Sequence, residues 1–239
     1  MAGSMLLRSS YPPSRLAGMA PSRRAPGPRA PRTASPDVAA VTHDEVVLAP
    51  RMEGFGARLR ASGPEASAAH AHLVECRLDE ASLTRLDLAG ATLTDVAVTG
   101  LRTAEVSAPD GAWRNVEVTG GRIGTLAGLR MRWDAVTLRN VRIDYLSLPS
   151  AEMADVLIVD CTIGALDLPE ARLDRVRFDG TRVDEVDTRG IRATDLDLRG
   201  LEAASFTDVR ALAGAWLEPR QVEFHALAFA EALGIRVTS

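Results

Sequence analysis

The sequence is poor in the residues that most often crosslink a fold or carry chemistry. Its 239 residues include two cysteines, four histidines and 4% aromatic residues, and lysine is absent, so all basic side chains are arginine. Two cysteines do not make a disulfide-rich scaffold, and no apolar run is long enough to span a membrane. We therefore expect a cytoplasmic protein without membrane contact.

The sequence also shows no recognisable catalytic or metal-binding motif. Neither cysteine lies beside a base, and the histidines are scattered at His43, His70, His72 and His225. A Ser/His/Asp set, a phosphate-binding loop and a metal-ligand cluster are all missing from the pattern. We therefore expect no enzyme activity and no cofactor or metal.

What the sequence does contain is a period of five residues. Stepping by five from Leu73 to Ala203 gives 27 positions, of which 24 are apolar. A second apolar column lies two residues earlier in each unit, beginning at Cys76. This period fits neither an amphipathic helix nor an alternating strand, and it predicts a solenoid whose short strands turn two side chains inward per unit.

Turn residues recur at steps of twenty and predict the length of one coil. Pro109, Pro149 and Pro169 occupy the same place in their units, as expected at the first central position of a type I or II turn. A second column contains residues that tolerate positive φ, namely Gly100, Gly120, Asn140, Asp160, Gly180 and Gly200. Each coil should therefore have four faces of five residues.

These units resemble the pentapeptide-repeat family, whose unit is Ala, then Asp or Asn, then Leu and two variable residues. Ala81-Ser82-Leu83, Ala91-Thr92-Leu93 and Ala171-Arg172-Leu173 carry the resemblance. It implies an all-β solenoid over residues 73–212, a right-handed quadrilateral β-helix of about seven coils with twenty residues per coil. The Ala position often holds Val or Leu here, as at Val96 and Leu101.

The two ends of the chain depart from the repeat. Residues 1–40 are rich in proline and arginine, and their composition predicts a disordered tail; binding to nucleic acid and folding onto the acidic solenoid are further alternatives for this tail. Residues 41–72 are expected to form an N-terminal cap or transition, and residues 213–239 a C-terminal cap helix followed by a short strand.

The predicted C-terminal helix has an apolar stripe at helical spacing. Its members are Val222, Ala226, Phe229 and Leu233, with Pro219 placed to begin the helix and Gly234 to end it. The family resemblance implies that this helix caps the coil and forms a twofold homodimer contact. Capping alone would also explain the stripe.

Outward-facing charges are the candidate interaction surface. Arginines at steps of twenty form one column, Arg102, Arg122, Arg142 and Arg182, interrupted by Thr162. Acids form two discontinuous columns, one with Asp87, Asp167 and Asp187 and the other with Asp95, Asp155 and Asp195. The arginine column lies beside acids, which indicates a solvated, self-neutralising face.

Two functions are compatible with this pattern. The first is a non-catalytic scaffold that binds a protein partner through one rigid face. The second follows from the resemblance, because some pentapeptide-repeat proteins mimic DNA and protect DNA gyrase. Seven coils would span roughly 34 Å, where B-DNA carries about 20 negative charges, whereas residues 73–239 hold 19 Arg and 27 acids. The scaffold is therefore preferred, and we expect no direct nucleic-acid binding by the solenoid.

Overall fold

The computed structural model describes residues 27–38 and 45–238, in which the period of five becomes a stack of short parallel strands. Most units bury two side chains, the central apolar residue and the residue two positions before it, so buried residues recur at alternating steps of three and two and the side chains between them turn outward. The strands are β1 Glu45–Val47, β2 Glu53–Phe55, β3 Arg58–Arg60, β4 Glu65–Ser67, β5 His72–Val74, β6 Arg77–Asp79, β7 Ser82–Asp87, β8 Thr92–Ser107, β9 Ala112–Ala127, β10 Arg132–Asp134, β11 Thr137–Arg139, β12 Arg142–Ser147, β13 Glu152–Val159, β14 Thr162–Asp167, β15 Arg172–Asp179, β16 Thr181–Asp187, β17 Arg192–Thr194 and β18 Leu201–Phe206.

The strand register confirms a coil of twenty residues. Thr92 in β8 pairs with Ala112 in β9, and Arg132 in β10 pairs with both Ala112 and Glu152 in β13. All of these pairings are parallel, so each coil lies directly on the previous one. The predicted fold class is confirmed as a β-solenoid of about eight turns with helices near the C-terminus.

The solenoid begins earlier than the sequence predicted. Residues 53–72, assigned to a cap or transition, form a further coil in which Glu53 pairs with His72 and Arg58 with Arg77. These steps are nineteen residues rather than twenty, so the apolar residues fall out of the five-residue frame. Because this coil is one residue shorter than the others, a search for a fixed period does not detect it.

The inward positions form one continuous apolar core. Cys76 and Cys161 are both buried and unpaired, as their separation along the coil predicts. Two polar residues at inward positions satisfy their hydroxyl groups locally. Thr103 Oγ1 donates to the Glu105 carbonyl oxygen at 3.0 Å, and Thr188 Oγ1 donates to the Asp208 carbonyl oxygen at 2.7 Å, which removes the penalty for burying an unpaired hydroxyl.

The predicted turns are present at the corners. Pro109 is followed by Asp110 with φ of 57°, and the Gly111 N–H donates to the Ala108 carbonyl oxygen at 3.2 Å, as in a type II turn. In the second turn column, φ is positive at Gly100, Gly120, Asn140, Asp160 and Gly180 but not at Gly200. The prediction was wrong at Gly200, which belongs to the last coil and lies beneath the C-terminal cap.

The C-terminal cap consists of a 3-10 helix, Val209–Leu212, and two short helices, α1 Pro219–Phe224 and α2 Ala226–Ala232. Pro219 begins α1 and Gly234, with φ of 76°, follows α2, as predicted. A single helix was expected, but the chain breaks at His225. The expected strand at Ile235 and Val237 is wrong, because residues 233–238 form no regular element.

The cap covers the open edge of the last coil. Trp216 pairs with Asp197, and Gln221 Nε2 donates to the carbonyl oxygens of Leu198 at 2.7 Å and Leu201 at 2.6 Å. These contacts satisfy main-chain groups that would otherwise form an exposed strand edge, which is a site for aggregation.

Candidate interaction surfaces

Residues 27–38, which we call the N-terminal strap, lie on the solenoid. The Arg29 N–H donates to Asp195 Oδ1 at 3.1 Å and Arg29 Nε donates to Asp195 Oδ2 at 2.6 Å. The Arg32 N–H donates to Asp155 Oδ1 at 2.9 Å, and Pro36 is buried. Residues 27–38 therefore follow the alternative of folding onto the acidic solenoid rather than the predicted disorder, because corner carboxylates hold them. The rest of residues 1–40 lies outside the described residues.

The strap binds a column of residues at one corner of the coil, which we call the corner column. It comprises Glu75, Asp95, Asn115, Ala135, Asp155, Arg175 and Asp195, all with φ between 50° and 56°. This left-handed conformation suits Asp and Asn. Because the positions repeat every twenty residues, the side chains stack at the distance between coils.

Within the corner column, Asp155 and Arg175 form a two-bond ion pair. Arg175 Nε donates to Asp155 Oδ1 at 2.7 Å and Arg175 Nη2 donates to Asp155 Oδ2 at 2.8 Å. Arg175 also contacts Asp174. Its hydrogen bonds, and the Arg32 N–H, hold the pKa of Asp155 below its ordinary value despite partial burial. Asp155 is therefore ionised and already paired at neutral pH.

The pKa of Asp195 is also lowered, in this case by hydrogen bonds from the strap. The side-chain hydrogen bond from Arg29, followed by the one from its main-chain N–H, lowers the pKa of Asp195. Asp95 accepts a hydrogen bond from Asn115 Nδ2, whereas Asn115 Oδ1 is buried without a partner among the described residues. All three acids predicted for this column are thus engaged within the chain.

The second predicted acidic column lies on a different face. Asp87, Asp167 and Asp187 align through successive strand pairs. Asp87 accepts from the Ala89 N–H at 3.0 Å, Tyr145 donates to Asp167, and Arg189 pairs with Asp187. The hydrogen bond from the Arg189 side chain lowers the pKa of Asp187. The six predicted acids therefore form two separated columns rather than one continuous anionic surface.

The arginine column aligns as predicted, and three of its four arginines pair with acids. Arg102, Arg122 and Arg142 are strand partners in succession, and Thr162 interrupts the column before Arg182. Arg122 and Arg142 both pair with Asp144, at 2.9 Å and 3.4 Å, and Arg182 pairs with Glu202 at 3.3 Å. Exposed pairs of this kind contribute little stability, but they reduce the net field of the face.

An open groove runs beside the corner column. It is lined by outward residues of strands β8, β9, β10, β13, β15 and β17, with arginines and acids interspersed, and by the edges of the inward residues Trp113, Trp133, Met153 and Leu173. Arg114 pairs with Asp134 at 3.3 Å and Arg172 with Glu152 at 3.5 Å. This mixture of charge pairs and apolar edges suits a contact surface.

The C-terminal helices present apolar side chains to solvent. Phe224, Leu227 and Leu233 are exposed by 69%, 62% and 78%, and Val222 by 45%. Among the other members of the predicted stripe, Ala226 is exposed and Phe229 is half-buried. The interpretation of this stripe as the capping surface is therefore wrong for most of its members, because the chain breaks at His225.

His225 provides the buried contact between the helices and the coil, a role that sequence reasoning missed. Its ring lies edge-on to Phe206, Phe224 and Phe229 at centroid distances of 4.9, 4.8 and 6.4 Å. Burial lowers its pKa, although a hydrogen bond with the Ala203 main chain acts in the opposite direction. The sequence signal for this contact was the presence of Phe224 and Phe229 near His225. The rings come together only because the helix breaks at His225.

Other site types are limited among the residues that the structure describes. No group of three or more His, Cys, Asp or Glu in residues 27–38 and 45–238 is placed to hold a metal ion. None of the helices in these ranges is long and apolar enough to cross a membrane.

The fold and its surfaces define a β-solenoid with charge pairs on its sides, and comparison with known proteins finds one family model that matches part of it. The family model for "Pentapeptide repeats (8 copies)" matches residues 65–99, which run from β4 into β8. Residues 65–99 therefore carry pentapeptide repeats, and the family resemblance of the sequence is confirmed. No curated protein matches the chain significantly.

Among solved structures, two trypsin-treated variants of QnrB1, a plasmid-mediated fluoroquinolone resistance protein, are similar to this chain. One is 16% identical with a TM-score of 0.26, covering 82% of this chain and 99% of its own. The other is 13% identical with a TM-score of 0.24, covering 82% and 100%. Likenesses of this size carry no functional argument.

Proposed function

We propose that the protein is a non-catalytic interaction scaffold that acts as a homodimer joined through α1 and α2. The observation that carries the proposal is the exposure of Phe224, Leu227 and Leu233, which lie in or next to the two C-terminal helices. Contiguous exposed apolar side chains mark interaction sites. A second copy of the same surface would bury these side chains. The sides of both solenoids, which carry the arginine–acid ion pairs, would remain available to a protein partner.

The rigidity of the solenoid supports a scaffold role. The parallel register is continuous through β8 and β9, each of sixteen residues, and onward to β18. Outward side chains are therefore held at fixed intervals along the axis. Preorganised surfaces bind partners at a lower entropic cost than flexible ones. We infer that the protein acts in the cytoplasm and that the solenoid contacts protein rather than nucleic acid or membrane.

Sedimentation velocity tests the dimer. The variant Leu227→Glu with Leu233→Glu places charges in the proposed contact and should sediment as a monomer where the parent is a dimer. Leu129→Glu is the matched control, because Leu129 is an exposed apolar residue on the side of the solenoid. A parent protein that remains monomeric at concentrations of about 100 μM would refute the dimer, because such a contact would contribute less than about 5.5 kcal/mol of binding free energy.

DNA gyrase is the second candidate partner, and it rests on the family resemblance. The paired acids weigh against DNA mimicry, because Asp155, Asp187 and Asp195 each accept from an arginine of the same chain. A supercoiling assay decides the matter. Inhibition that is lost when Asp155, Asp167, Asp187 and Asp195 are changed to Asn would establish gyrase binding. The absence of inhibition by folded dimer would leave the scaffold with another protein partner.

A further inference from the structure

The strap makes the same main-chain contact with the solenoid twice, and Arg29 adds a side-chain hydrogen bond from Nε to Asp195 Oδ2. In each case the residue is an arginine that follows a proline, Pro28-Arg29 and Pro31-Arg32, and its main-chain N–H donates to Oδ1 of a corner aspartate. The two contacts are three residues apart in the strap. The two acceptors, Asp195 and Asp155, are forty residues apart in the chain, which corresponds to two coils.

These two spacings match in length. A polyproline II segment rises about 3.1 Å per residue, so three residues advance by about 9.3 Å and complete one turn. Stacked strands lie about 4.8 Å apart, so two coils advance by about 9.6 Å. A segment with Pro-Arg every three residues therefore presents the same face to every second corner residue. Residues preceding proline are also restricted to extended conformations, which favours this geometry.

Charge and burial add to the match. The side chains of Asp155 and Arg175 are 12% and 15% exposed, and Asp195 is 19% exposed. Arg175 stands between the two aspartates in the corner column and pairs with Asp155, so the column alternates negative, positive and negative. A bound segment must donate a hydrogen bond to each aspartate, from a main-chain N–H or a charged side chain. The residue of the segment that lies opposite Arg175 must be uncharged, because a positive charge there would be repelled. Ala30 occupies the strap between the two Pro-Arg pairs.

We propose that the corner column from Asp155 to Asp195 is a recognition site for extended segments with the pattern Pro-Arg-x-Pro-Arg. Residues 28–32 occupy it within the same chain, and a partner protein carrying this pattern binds by displacing them. This inference rests on the proposed scaffold function and names the chemistry of its partner. Because the strap is tethered, its high effective concentration weakens binding of any competing segment.

The test uses the full chain and a fluorescein-labelled peptide with the sequence of residues 27–38. All proteins carry Leu227→Glu and Leu233→Glu, so the outcome does not depend on the proposed dimer. Adding Arg29→Asp and Arg32→Asp repels the strap from its two aspartates and should open the site. We expect this opened protein to bind the peptide about tenfold or more tightly than its parent, measured by fluorescence anisotropy.

Two controls separate geometry from charge. A peptide with one alanine inserted between the Pro-Arg pairs keeps the charge but breaks the three-residue spacing, and it should bind the opened protein about tenfold more weakly. Asp155→Asn with Asp195→Asn should abolish binding, whereas Asp110→Asn with Asp144→Asn makes the same change of charge elsewhere and should not. Circular dichroism establishes that each variant is folded.

The outcomes are decisive. Equal binding of the two peptides would overturn the recognition of spacing, and equal binding to parent and opened proteins would overturn occupancy by the strap. No binding to a folded, opened protein would overturn the site itself, while leaving the dimer experiment unaffected. A strap-dependent dimer in the Leu227→Glu and Leu233→Glu background would show that the segment binds a neighbouring copy and would overturn binding within one chain.

Discussion

Trp113 and Trp133 stack inside the first face of the solenoid, with ring centroids 5.8 Å apart and planes inclined by 15°. They are strand partners in β9 and β10, so the twenty-residue coil places one ring directly over the other. Trp133 Nε1 donates to Met131 Sδ at 3.1 Å. The stack joins two coils by side-chain packing in addition to the main-chain hydrogen bonds of the sheet.

Trp133→Ala should therefore destabilise the solenoid strongly. Trp133 is 2% exposed, and truncating a buried Trp to Ala typically costs about 3–5 kcal/mol. Urea unfolding followed by circular dichroism measures the loss. Arg132→Ala, at the exposed neighbouring position, should change stability by about 0.5 kcal/mol or less; equal losses would contradict the inward placement of Trp133.

Leu138→Asp tests the register of the second face. Leu138 is 1% exposed, so the change removes about 1.5–3 kcal/mol of apolar burial and adds a buried charge without a partner. A large fall in melting temperature is expected. Arg139→Gln, one residue along on the outer surface, is the control, and an unchanged melting temperature for Leu138→Asp would refute the register.

The cap should loosen at acidic pH through His225. Burial places the folded-state pKa of His225 below its ordinary value of about 6.5. Its neutral form therefore stabilises the cap fully above that value, and this stabilisation is lost as the pH falls through the folded-state pKa. Amide NMR signals of residues 219–232, followed from about pH 7.5 to about pH 5, should show exchange broadening.

His225→Gln is the control for this titration, because Gln keeps a hydrogen-bond donor but does not titrate in that range. Its cap signals should be insensitive to pH over the same interval. Signals that change equally in both proteins would assign the loosening to other groups.

Trypsin should report the attachment of the strap. Cleavage after Arg29 and Arg32 requires that the segment leave Asp195 and Asp155, so its rate follows the population of the detached state. Asp155→Asn with Asp195→Asn should speed cleavage at these two sites about tenfold, because charge-assisted hydrogen bonds become neutral ones. Asp110→Asn with Asp144→Asn should leave the rate unchanged, and acceleration by both pairs would point to a general effect of charge.

Much of the fold was determined by the sequence alone. A side chain that must be buried once every five residues requires a short strand and a turn, and the proline and glycine columns required four such units per coil. The stacking of Trp113 on Trp133 and the alignment of Arg102 with Arg122 follow from that arithmetic. The first coil was not predicted, because its step of nineteen residues shifts its apolar positions out of the five-residue period.

The tertiary structure alone decided how the two ends meet the solenoid. Composition predicted disorder for the strap, because its apolar content is low. Composition does not show that Asp155 and Asp195 lie two coils apart, a spacing close to the length of one turn of a polyproline II segment. Helical spacing likewise placed Val222 and Leu233 on the coil, whereas the break at His225 turns them to solvent. Periodic burial is a local property that the sequence carries, but contacts between distant segments depend on distances that only the folded coil sets.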